Sequence, residues 1–139
     1  MSEKLILLTA HSGCENTAQN SAEYIQKALD LPCDIIEVDV RKNADGFYLS
    51  HDAPHGKSAV TLDEALKLLD KKKSVCVNFD LKEDILCPLA EYLEQKNFMY
   101  RAFFSGSVSQ ESFCALKNGK DRVLFNIDGA SLKSGADSF

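Results

Sequence analysis

Short apolar runs alternate with amphipathic stretches along this chain. Lys4 to His11, with Leu5-Ile6-Leu7-Leu8 at its centre, reads as a buried strand closed by a turn. From Glu15 to Leu31 the apolar residues Ala18, Ala22, Ile25 and Leu29 recur at helical spacing, and Pro32 ends the segment. Asp34 to Arg41 is a second strand rich in Ile and Val. Asn43-Ala44-Asp45-Gly46 is a turn, and Phe47 to His51 returns as a short strand, which predicts an antiparallel hairpin. Thr61 followed by Glu64 is a capping box, so a helix to about Asp70 is expected, with Leu62, Ala65, Leu66 and Leu69 inward. Further strands are expected over Ser74–Lys82, Tyr100–Ser105 and Arg122–Asp128. The intervening helices are Glu83–Asn97, with Pro88 near its first turn, and Gln110–Lys117, closed by Asn118-Gly119. Gly129 to Phe139 has no clear periodicity.

This alternation predicts one α/β domain over residues 1–139 with a parallel sheet and right-handed crossovers. A doubly wound open sheet and a (β/α)8 barrel both satisfy it. A whole barrel takes about 250 residues, so in the second case the chain would stop after about five strands.

Side-chain alternation places candidate chemistry on particular strand faces. On the second strand, Ile35, Glu37 and Asp39 share one face and Ile36, Val38 and Val40 the other. On the strand near residue 78, Val75, Val77, Phe79 and Leu81 are apolar while Asn78, Asp80 and Lys82 are polar. Two readings fit: solvated edges, or one shared site in which a hard cation offsets Glu37, Asp39 and Asp80. Lys82 would pair with an acid or hold a phosphate. His11 and His51 end strands, where parallel α/β folds keep their active face, and two readings fit: structural histidines, or proton transfer near neutral pH. Asp52 follows His51 and would orient it or a neighbouring group. His55 lies in a Pro/Gly loop and reads as solvated. Glu15-Asn16-Thr17 opens the first helical stretch, where simple capping with dipole complementarity and a role in the site both fit.

Charge and composition narrow the choices. A formal net charge of −5 argues against a nucleic-acid groove, though one bound cation can reverse the sign of a pocket. No apolar run is long enough to span a membrane, and no secretory leader is recognisable. The five cysteines include no CxxC pair, which suits structural thiols in the cytoplasm.

The ordered set Ala10-His11-x-Gly13, Glu15-Asn16-Thr17, Ile36-Glu37-Val38-Asp39-Val40, Asp45-Gly46, His51-Asp52, Thr61-Leu62-x-Glu64-Ala65-Leu66 and Asn78-x-Asp80-Leu81-Lys82 resembles the glycerophosphodiester phosphodiesterase family. The resemblance covers residues 5 to 82. It implies a (β/α)8 barrel and the hydrolysis of a small glycerophosphodiester to glycerol phosphate and an alcohol. It further implies one divalent cation, Mg²⁺ or Ca²⁺, on Glu37, Asp39 and Asp80, with His11 and His51 as the acid–base pair. Lys82 and Ser12 would meet the phosphate, supported by Glu15, Asn16 and Asp52. The chain departs from the family pattern at Ser12 (usually Arg), at Cys14 (commonly Pro) and at Asp80 (usually Glu). It also lacks the last three βα units, so a missing C-terminal half or an oligomer is expected to cover the open sheet edges.

Overall fold

A computed structural model describes residues 7–11, 13–53 and 59–125. Its elements, in order, are β1 (Thr9–Ala10), α1 (Ala22–Asp30), β2 (Ile35–Asn43), β3 (Gly46–Leu49), α2 (Leu62–Leu69), β4 (Cys76–Leu81), α3 (Leu86–Gln95), β5 (Ala102–Gly106) and α4 (Gln110–Ala115). They form one five-stranded sheet whose parallel path runs β1-β2-β4-β5, with β3 pairing antiparallel to β2.

That strand order separates the two architectures. A doubly wound sheet reverses direction at a switch point, which places helices on both faces. Here each parallel strand is added beside the one before it, with no reversal. Successive right-handed crossovers then deposit every helix on the same face. The product is the singly wound arc of a barrel wall. The hairpin after the second strand is present as expected.

Burial follows the two faces. Ile36, Val38, Val40, Val77, Phe79, Leu81, Ala102 and Phe104 are buried in one cluster with Tyr24, Ile25 and Ala28 of α1, Leu62, Ala65, Leu66 and Leu69 of α2, and Leu86, Leu89 and Leu93 of α3. Each large apolar side chain fully buried there contributes about 1.5–3 kcal/mol, so this helix-facing layer dominates stability. The opposite, concave face carries Glu37, Asn78, Asp80 and Phe103, all partly exposed.

Several boundaries differ from the sequence reading. Helix α1 starts at Ala22, not Glu15. Ser21 is its N-cap and accepts from the Tyr24 N–H, while Glu15, Asn16 and Asn20 have positive φ (54°, 61° and 56°) and turn the chain before it. Ala18 is exposed and lies outside the helix. The capping box of α2 forms as read, with Thr61 and Glu64 bonded reciprocally. Strand β5 starts at Ala102 because Met99–Arg101 forms a 3-10 turn. Of the expected Arg122–Asp128 strand, Val123 bridges in parallel to Phe104, and 126–128 lie outside the described residues, as do residues 4–6 of the first strand, Ser12 and His55.

Arg101 locks the base of the sheet. Its side chain is buried, with Nε donating to the Val75 carbonyl (2.8 Å) and Nη2 to those of Leu69 (3.0 Å) and Lys72 (2.8 Å). Nη1 lies 3.6 Å from Asp70 Oδ1, and the guanidinium stacks 4.6 Å from the Phe98 ring centroid. One cation thereby satisfies carbonyls at the end of α2 and in the turn that leads into β4.

Leu7 and Leu8 beside β1, and Leu124 and Phe125 after Val123, are exposed large apolar residues at opposite edges of the sheet. A groove of about 440 Å³ follows the β1 edge, lined by Leu8 to His11, Gly13, Cys14 and Leu31 to Cys33, and by none of the three acids. No helix among the described residues is long and apolar enough to cross a membrane.

Candidate metal and phosphodiesterase site

The pairing register assembles the acids. Asp39 of β2 stands opposite Asp80 of β4, and Glu37 opposite Asn78, so three carboxylates project from two adjacent strands onto the concave face. Glu37, Asp39 and Asp80 each offer an oxygen within 4.8 Å of the others. Oxygens around one Mg²⁺ or Ca²⁺ lie about 2.0–2.6 Å from the ion, which lets a single hard cation span that separation. The donor set is all carboxylate, so it fits those ions and not a thiolate-loving metal.

Neighbours hold the carboxylates in place. The Asn20 side chain clamps Asp39 twice: Nδ2 donates to Oδ2 (3.0 Å), and Oδ1 accepts from the Asp39 N–H (2.9 Å). Lys82 Nζ lies 2.9 Å from Asp80 Oδ2 and 3.6 Å from Asp39 Oδ1. The Ser105 hydroxyl of β5 sits 3.4 Å from Asp80 Oδ1 and 3.2 Å from Asn78 Oδ1. Burial alone would lower the Lys82 ammonium pKa, but the hydrogen bond to Asp80 and the charges of Asp39 and Asp80 outweigh it and hold it above the ordinary lysine value.

Gly106, directly after Ser105, makes room for this arrangement. With φ at +90°, a β-carbon there would fall 2.3 Å from Asp80 Oδ1 and 2.4 Å from the Leu81 carbonyl oxygen. Gly106→Ala is therefore expected to cost about 2–4 kcal/mol of stability and to push Asp80 off the cluster. Urea unfolding paired with a Ca²⁺ titration checks both; unchanged stability and unchanged cation affinity would contradict the tight fit.

Both histidines reach one edge of β2. Val40 pairs with Leu49 of β3 and with Leu81 of β4, and Ile35 pairs with Thr9 of β1 and with Cys76 of β4. Since a strand has two edges, β1 and β3 share the edge opposite β4. The hairpin climbs past the end of the parallel sheet and returns, so that the Ser50 N–H bonds the Asp39 carbonyl (3.1 Å) and His51 follows at that level. His11 directly follows β1, with Nδ1 3.6 Å from Glu37 Oε1. His51 Nδ1 lies 3.0 Å from Asp52 Oδ1, and its carbonyl accepts from Arg41 Nη2 (2.9 Å) and Nε (3.3 Å). Arg41 is itself anchored by Glu83 at 3.2 Å. Underneath, the Tyr24 hydroxyl sits between the carbonyl oxygens of Ala10 (2.8 Å) and Glu37 (2.7 Å), tying α1 to the two strands that carry His11 and Glu37. Burial pushes the Tyr24 phenol well up, so it stays protonated.

This rim of acids and histidines sits on a known barrel wall. A glycerophosphodiester phosphodiesterase from Agrobacterium tumefaciens str. C58 superimposes with a TM-score of 0.63 at 23% identity, over 81% of this chain and 62% of that one. A glycerophosphodiester phosphodiesterase from Thermotoga maritima gives 0.67 at 18% identity, over 97% and 68%. A second Agrobacterium tumefaciens chain, provisionally named glycerophosphoryl diester phosphodiesterase, gives 0.74 at 15% identity, over 94% and 68%. The chain has the glycerophosphodiester phosphodiesterase fold. No protein-family model and no curated protein matches the sequence. The chain spans 62% of the first of these phosphodiesterases, so its sheet corresponds to part of a phosphodiesterase barrel.

Sequence reasoning named Glu37, Asp39, Asp80, Lys82 and His11, which the fold gathers into one cluster, and His51 with Asp52, which it sets on the same edge of β2. Glu15 and Asn16 lie in an exposed turn; Asn20, a few residues on, is the buried side chain that grips Asp39. Asn20, Tyr24, Ser105 and Gly106 were missed. The signal for Asn20 was present: Ser21 before Ala22-Glu23 is a helix start, which places Asn20 outside the helix interior.

Proposed function

We propose that this chain carries the metal-binding and acid–base half of a glycerophosphodiesterase, which hydrolyses a glycerophosphodiester to glycerol phosphate and an alcohol. The observation that supports this most is the convergence of Glu37, Asp39 and Asp80 within 4.8 Å, beside His11, on a wall with the phosphodiesterase fold. One Mg²⁺ or Ca²⁺ held by these carboxylates would neutralise the phosphate charge. His11 and His51 would move the protons, one relieving the attacking glycerol hydroxyl or water and the other supplying the leaving oxygen. Asp52, at Nδ1 of His51, would hold the proton there and leave Nε2 to face the substrate. Lys82 and Ser12 would receive phosphate oxygens, with Glu15 and Asn16 in support at the loop after β1. The five cysteines, all free, suit a cytoplasmic setting. The rest of the barrel, from further chain or from an oligomer, would cover the β1 and β5 edges.

The test is release of glycerol phosphate from glycerophosphocholine with Mg²⁺ or Ca²⁺. Release should stop on chelation and fall by about 100-fold or more in His51→Ala. Release that survives chelator and His51→Ala alike would remove the assignment. The departures from the family pattern at Ser12 and Asp80 favour a second reading, a non-catalytic cation-binding relative. Calorimetric cation binding without turnover is its signature.

A further inference from the structure

We propose that Lys82 is the built-in counter-ion of the acid cluster, and that an entering cation has to displace its ammonium before the site can hold metal. This rests on the cation reading of Glu37, Asp39 and Asp80. The ammonium sits where the two in-register acids meet, 2.9 Å from Asp80 Oδ2 and 3.6 Å from Asp39 Oδ1. A hard cation needs those same oxygens at about 2.0–2.6 Å, so the two positive charges contend for one place.

The local structure suits such an exchange. Asp39 is buried with its other oxygen on Asn20, and Asp80 is backed by Ser105, so the carboxylates are held while the cation partner changes. Lys82 lies just past the end of β4, its backbone fixed by the N–H bond to the Val40 carbonyl (3.1 Å). Its side chain is 23% exposed on a flexible four-carbon stem, free to swing outward. The exchange also has a purpose. Three carboxylates this close repel one another when ionised, and Lys82 offsets that repulsion while no metal is bound. Once displaced, the ammonium remains on the rim, facing the side from which a phosphate would approach.

The experiment measures Mg²⁺ and Ca²⁺ binding calorimetrically to the wild-type chain and to Lys82→Met, which keeps the stem and removes the charge. In parallel, wild-type protein is treated with an amine-acetylating reagent with and without Ca²⁺, and modification at Lys82 is read by mass spectrometry. Lys82→Met is expected to bind either cation more tightly, on the order of fivefold, and Ca²⁺ should raise acetylation at Lys82. Equal or weaker binding by Lys82→Met, or unchanged or reduced labelling, overturns the displacement while leaving the cation site in place. Absence of binding by both proteins overturns the displacement and the cation site together. Lys82→Gln serves if the methionine variant folds poorly, and the labelling needs no variant.

Discussion

On the proposed function, Asp39→Asn is expected to reduce phosphodiesterase turnover on the order of 100- to 1,000-fold while shifting unfolding free energy by no more than about 1 kcal/mol. The two halves of this expectation come from different contacts. Asp39 is the most buried of the three acids, its side chain 3% exposed, and it stands in register with Asp80 at the centre of the cluster. An amide there offers one neutral oxygen where a cation needs an anionic one, and charge is what holds a hard ion. Stability behaves differently. The amide has the carboxylate's shape, it still presents an oxygen toward Asn20 Nδ2, and the backbone bond from the Asp39 N–H to Asn20 Oδ1 is untouched. Removing one charge also relieves repulsion from Glu37 and Asp80, which compensates for the weakened pairing with Lys82. Turnover and calorimetric Ca²⁺ affinity should therefore collapse together while the urea midpoint barely moves. A variant that keeps its turnover within threefold of the wild-type rate would show that Asp39 is only a structural acid.

Arg101→Ala should have the opposite profile and lower the unfolding free energy by about 3–5 kcal/mol. The guanidinium donates to three main-chain carbonyls that are otherwise left without this partner, those of Val75, Leu69 and Lys72. The Leu69 and Lys72 carbonyls also accept from the N–H groups of Lys72 and Val75, so the loss of about 1–3 kcal/mol for an unsatisfied buried acceptor falls mainly on the Val75 carbonyl, and truncation adds a cavity beside Phe98. Arg101→Met separates the two contributions, because it fills the space without donating; about 1–3 kcal/mol should remain lost. Arg101 lies just before β5, at the N-terminal end of the parallel strands, while Asp80 pairs with Ser105 near the other end, so Ca²⁺ affinity of the folded fraction should be unchanged. Urea denaturation of both variants is the measurement. A loss under about 1 kcal/mol for Arg101→Ala would mean that water replaces the guanidinium at those carbonyls.

Much of the candidate site could be read from the chain because strand chemistry is periodic. Side chains alternate every residue, so Glu37 with Asp39, and Asn78 with Asp80 and Lys82, had to share faces once β2 and β4 were recognised. The Thr61–Glu64 capping box was equally readable, since both bonds it makes are local. The α1 boundary was not, because Ala18, Ala22, Ile25 and Leu29 mimic one helical stripe across a turn. The left-handed residues Glu15, Asn16 and Asn20 interrupt it without altering the hydrophobic spacing.

By itself, then, the sequence determined the strand faces, the hairpin and the identity of the acids, histidines and lysine, all consequences of short-range periodicity and turn chemistry. Tertiary structure decided the rest. The register Asp39 opposite Asp80 depends on how β2 and β4 pack over the helices. The sequential strand order, which makes a barrel wall rather than a doubly wound sheet, is a property of the whole chain path. Asn20, Tyr24, Ser105 and Arg101 act on residues 13 to 32 positions away in sequence. No local pattern encodes such contacts, because their geometry exists only after separate elements have packed.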